Sequence, residues 1–97
     1  MRHGHFEWDD TKARANLLKH GVSFEEAAVA LEDKYCLIEI DDGDPYEERW
    51  RSIGLAFSRV LFVVTTERQG NVTRIISARR ATRHEENCYN RQTLSKK

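Results

Sequence analysis

Two arginines, Arg79 and Arg80, end the apolar run "RIISA" just where "TRHEE" opens a helix. Guanidinium groups beside the unpaired N–H groups of a helix start favour an anion, and a phosphate suits their forked geometry best. Successive strand residues point to opposite faces, so only one of the pair can share a face with Arg49 or Arg51. Arg79 is the better placed. Glu48 and Arg49 set a carboxylate beside a guanidinium after an acidic turn, and a carboxylate so placed stays ionised and suits a proton acceptor better than a donor. His20 closes the first helical segment, where it could donate or accept a proton. Tyr89 and Trp50 could stack on unpaired bases, although a small core would also claim Trp50. Each residue has a plainer reading: surface ion pairs for the arginines and Glu48, a helix-end cap for His20.

The formal charge is zero, but residues 1–48 hold 13 acids and 5 bases whereas residues 49–97 hold 3 acids and 11 bases. Such a division leads either to a basic face for a polyanion or to pairing of the two halves on folding. Cys36 and Cys88 lie far apart without CxxC spacing, and no two histidines have the i, i+4 spacing of a helical metal site, so reduced thiols and no metal or other cofactor are expected. No apolar run reaches membrane-spanning length and the first ten residues lack the apolar core of a secretory signal, so a cytoplasmic protein without membrane contact is expected.

A chain of 97 residues fits one domain, spanning residues 1–97. "HFEW" alternates as a short strand. A helix is expected from about Asp10 to His20, with Ala13, Leu17 and Leu18 on its inner side and Gly21 past its end. Ser23 and Glu26 have capping-box spacing, and Phe24, Ala27, Ala28 and Leu31 follow at helical intervals. "YCLIEI" then reads as a strand, "DDGDPY" as a turn, and residues 48–57 as a strand with Arg49, Arg51, Ile53 and Leu55 on one side. "RVLFVVTTE" is the most apolar run and is expected to be a central strand buried on both faces. "VTRIISARR" should pair with it through the turn "RQGN", and Thr82 with Glu85 opens a final helix of about ten residues. The order gives an α+β domain: two N-terminal helices, a four-stranded antiparallel sheet and a C-terminal helix, with one sheet face partly open.

Three stretches, "FEWDDTKARANLLKHGVSFEEA" (6–27), "EERWRSIG" (47–54) and "RIISARRAT" (74–82), resemble the BrnT family of toxins, which are similar in fold to RelE-type toxins. The resemblance implies a metal-independent endoribonuclease that cuts RNA and halts translation. It also implies a BrnA-type antitoxin partner with a ribbon-helix-helix DNA-binding domain, and a homodimer or toxin–antitoxin hetero-oligomer. The matched polar positions are His20, Glu48, Arg49, Arg79 and Arg80. In this reading Glu48 or His20 is the base, Arg49 and Arg79 hold the phosphate, and Arg80, Arg51 and Tyr89 bind RNA. The chain departs from the family pattern at "HEENCYN", where a more basic run is usual, and at "DDGDPY", which lacks a histidine. The alternatives are a non-catalytic nucleic-acid- or protein-binding module with a basic face, and a structural part of a larger assembly.

Overall fold

The computed structural model describes residues 2–43 and 46–95, so Asp44 and Pro45 of the expected acidic turn "DDGDPY" lie outside the described residues. The elements in chain order are β1 (Arg2–His3), β2 (Phe6–Glu7), α1 (Asp10–His20), α2 (Phe24–Leu31), β3 (Leu37–Asp41), β4 (Arg49–Ala56), β5 (Arg59–Arg68), β6 (Val72–Arg80) and α3 (Arg83–Ser95). They form one sheet in the order β1-β2-β6-β5-β4-β3. The four long strands are antiparallel as expected. "HFEW" adds β2, which pairs in parallel with β6, and β1 folds back on β2, so the sheet is mixed.

Local chemistry sets the helix limits. Asp9 Oδ1 accepts from the backbone N–H groups of Thr11 and Lys12 at the start of α1, and Gly21 at φ 68° ends it with a left-handed residue. The Ser23–Glu26 capping box opens α2. Phe24, Ala27, Ala28 and Ala30 of α2 are buried against Leu61, Val63, Ile75 and Ala78 of the sheet. Gly54 of β4 is what lets α2 come so close: a Cβ there would lie 2.1 Å from the Ala30 carbonyl oxygen.

The inner side of α1 differs from the expectation. Leu18 is 89% exposed and Leu17 is 48% exposed, while Asn16 is the buried α1 residue. Its amide Nδ2 donates to the carbonyls of Ala78 (2.7 Å) and Val22 (3.0 Å), and its Oδ1 accepts from the Ala78 N–H (3.1 Å). Asn16 therefore stands in for a neighbouring strand along the part of β6 that β2 does not reach. A polar residue is inside because buried backbone groups need partners more than leucine needs cover.

β5 is central, but it is fully buried on one face only. Leu61, Val63 and Thr65 face α1 and α2, whereas on the other face Val60, Phe62 and Val64 are half-buried and Thr66 is buried. That second face is covered in part by α3, which begins with the expected Thr82–Glu85 capping box and runs thirteen residues. The Tyr89 hydroxyl of α3 donates to Asp33 Oδ2, which also accepts from the Leu55 N–H, and Gln92 donates to the Tyr35 carbonyl. These bonds fasten α3 to the segment after α2.

Candidate active site

Residues paired across a ladder share a face, so the register fixes where the arginines lie. Arg49 pairs with Thr66 and Thr66 with Arg74; Ile53 pairs with Phe62 and Phe62 with Arg79. Strand alternation adds Arg51 and Arg68 to the same side. Arg49, Arg51, Arg68, Arg74 and Arg79 thus project from the face opposite α1 and α2. Arg80, one residue on, falls on the other side.

Each of these arginines meets a carboxylate. Arg49 Nη2 lies 3.3 Å from Glu47, Arg51 Nη2 3.4 Å from Glu39, and Arg74 and Arg68 lie 3.7 and 4.0 Å from Glu7. Arg79 makes a bidentate pair with Glu85, at 2.9 and 3.0 Å. On the other face Arg59 bonds Glu26. Apart from Arg79–Glu85, these pairs join an acid of residues 1–48 to a base of residues 49–97. These pairs take up Glu7, Glu26, Glu39 and Glu47 of the acidic half, so pairing accounts for part of the division of charge along the chain. The pairs remain partly exposed, and exposed pairs of this kind contribute about 0–1 kcal/mol, which a phosphate can outbid.

Between the sheet and α3 the arginine face deepens into a groove of about 260 Å³, lined by Leu37, Glu39, Arg51, Ile53, Phe62, His84, Glu85 and Cys88. Its floor is apolar and its walls are charged. The Arg79 guanidinium lies over the Phe62 ring, 4.1 Å from its centroid, which places it at the groove's edge. Of its five N–H donors, Nη1 serves Glu85 and the Arg80 carbonyl and Nη2 serves Glu85, leaving two for an anion. Burial pushes the Glu85 carboxyl up, but the bonds from Arg79 and the Thr82 N–H outweigh it and leave the group below its usual range. It is therefore an ionised acceptor at neutral pH. The His84 imidazole stands on the same wall, with Nε2 3.7 Å from Cys88 Sγ.

The geometry redistributes the residues singled out from the sequence. Arg79, Arg51 and Arg49 share one face. At about 4.8 Å between strands and 3.3 Å per residue, the register separates the backbones of Arg49 and Arg79 by roughly 16 Å and those of Arg51 and Arg79 by roughly 12 Å. Arg49 and Arg79, each turned toward its own carboxylate, do not converge on one anion; Arg51 and Arg79 flank one groove. Glu48 is exposed at the start of β4 and its carbonyl accepts from Thr66 Oγ1. His20 ends α1, on the far side of the sheet from the groove. Tyr89 is 4% exposed and bonded to Asp33, so it packs rather than stacks on a base. Trp50 is half-buried on the covered side, beyond the end of α2. His84 and Glu85 are the groove residues that sequence reasoning missed as chemical groups. Their place beside the groove depends on how α3 docks on the sheet, which no spacing in the sequence signals.

The chain matches, over residues 8–85, the family model described as the ribonuclease toxin BrnT of type II toxin–antitoxin systems. Among solved structures it is similar to the Brucella abortus ribonuclease toxin BrnT, with a TM-score of 0.60 and 21% identity, covering 80% of this chain and 96% of that one. At that identity the likeness speaks for the fold. No curated protein matches the chain.

Proposed function

Because the chain belongs to the BrnT family of ribonuclease toxins of type II toxin–antitoxin systems, we propose that it is an endoribonuclease whose reaction takes place in the groove between the sheet and α3. The observation that carries this reading is a groove with an apolar floor lined by Arg51, His84 and the ionised Glu85, with Arg79 at its edge against Phe62 and Glu85. RNA contains its own nucleophile, the 2′-OH. Cleavage needs that proton removed, the crowded phosphate stabilised and the leaving 5′ oxygen protonated. Arg51 and Arg79 grip the phosphate from the two sides of the groove, and His84 exchanges the proton. Glu85 aligns Arg79 until the phosphate takes over part of its guanidinium. Arg49, Arg68 and Arg74 meet the flanking phosphates along the same face. The reaction so described needs no metal, acts on cytoplasmic RNA and halts translation. The protein antitoxin that type II membership implies is of BrnA type.

The test is purified protein with RNA in EDTA. Cleavage leaving 2′,3′-cyclic phosphate ends, lost in His84→Ala and in Arg79→Ala, is the expected result. Cleavage that stops in EDTA and returns with a divalent cation contradicts the metal-free route. RNA binding without cleavage favours the non-catalytic module.

A further inference from the structure

The two edges of the sheet are finished differently. On one side β1 and β2 are two residues each, and beyond them the amide of Asn16 occupies the backbone groups of Ala78. On the other side β3 is paired with β4 alone, so its outer row of N–H and C=O groups faces outward. Ile38 and Ile40 of β3 are 62% and 51% exposed, and they share the covered-side face with Ser52 and Trp50. From Ile38 a groove of about 340 Å³ runs inward past Leu31, Trp50 and Phe6. Glu39 and Asp41 alternate with the isoleucines and point to the other face. An open strand with apolar residues on one side and acids on the other is a template for an added strand.

We propose that the outer edge of β3 takes an extended segment of a partner protein in which apolar residues alternate with lysine or arginine. The apolar side chains pack beside Ile38 and Ile40 and reach into the groove, and the basic ones meet Asp41 and the exposed side of Glu39, whose carboxylate also bonds Arg51. Residues 32–48 hold eight carboxylates and one lysine, a charge that favours a basic chain over an acidic one along the outer side of β3. A second copy fits poorly: two β3 strands paired antiparallel about their centres would set Glu39 against Glu39 and Asp41 against Leu37, and like charges directly opposite are unfavourable. In a type II system the protein antitoxin is the partner at hand, and to that extent the inference rests on the reading above.

The experiment titrates the full chain with two synthetic nine-residue peptides, one alternating valine with lysine, the other valine with glutamate. The lysine peptide is expected to bind at least ten times more tightly and to slow hydrogen exchange at the backbone amides of residues 37–41. The double variant Ile38→Lys/Ile40→Lys, at exposed positions, and the separate variant Asp41→Lys should each weaken that binding about tenfold while RNA cleavage stays at the wild-type level. Equal affinity for the two peptides, protection confined to the arginine face, or no binding of either overturns the proposal. So does sedimentation showing a dimer that Ile38→Lys/Ile40→Lys dissolves, which would make the edge a self-association surface. If neither protein cleaves RNA, the ribonuclease reading fails while the peptide comparison still decides the edge.

Discussion

The two faces of the sheet solve opposite problems. The face under α1 and α2 is made of small and aliphatic residues, with Gly54 against the Ala30 carbonyl and a single buried amide, Asn16, closing the open backbone of β6. Five arginines stand on the opposite face over a half-buried apolar floor, each with a carboxylate that holds it loosely. Close packing leaves no slack, whereas exposed ion pairs exchange partners cheaply. Changes on the first face should therefore break the fold, and changes on the second should break the reaction and leave the fold standing.

The largest effect is expected from Gly54→Val, which drives a side chain into the Ala30 backbone and should cost more than about 3 kcal/mol, read as loss of cooperative thermal unfolding. Next, Arg79→Ala should lower RNA cleavage by about 10²–10³-fold, by analogy with removing one oxyanion-hole donor, while its unfolding midpoint in urea moves little. Asn16→Leu fills similar space but strands backbone groups of Ala78 and Val22, costing about 2–3 kcal/mol in denaturant unfolding. The reverse sign is expected at Phe57, an exposed residue at φ 59° in the two-residue turn between β4 and β5. Phe57→Gly should raise stability by about 1 kcal/mol, because a bulky side chain is strained there.

Titration sets one phenol against three carboxylates. Burial, and then the Asp33 carboxylate that its hydroxyl serves, push the Tyr89 phenol up to about 12. An unfolded tyrosine titrates near about 10, so this contribution is intact below that pH and is lost as pH rises toward the native value. Tyr89→Phe should flatten the stability curve over that interval. Glu26, Asp33 and Glu85 behave oppositely: burial raises each, but bonds from Arg59, Tyr89 and Arg79 respectively lead the larger opposing effects and leave each lowered. Their stabilisation is present above the ordinary carboxylate range and lost as pH falls below it.

Much of the fold was legible because local signals and tertiary needs agreed. The caps at Gly21, Ser23 and Thr82 and the β5–β6 hairpin all appear where residue spacing puts them. The misreadings come from positions where tertiary demands overrode pattern. Leu17 and Leu18 looked like the inner side of α1, yet β6 needed an amide more than the core needed leucine. Parity correctly separated Arg79 from Arg80, since a two-residue period survives folding. That Arg51 meets Glu39, and that Arg68 and Arg74 meet Glu7, depends on which strands lie side by side, and the sequence carries no sign of it. His84 and Glu85 were invisible as a site for the same reason: the docking of α3 through Tyr89 and Gln92 brings them beside Phe62.

The most direct test of the groove as the reactive centre compares cleavage of one RNA by the wild type, Arg51→Ala, Arg79→Ala and His20→Ala, each confirmed folded by its unfolding midpoint. The two groove arginines should each reduce cleavage by about 10²-fold or more, and His20→Ala should leave it near wild type. Full activity in both arginine variants, or a loss confined to His20→Ala, would contradict the assignment and move the chemistry to the other side of the sheet.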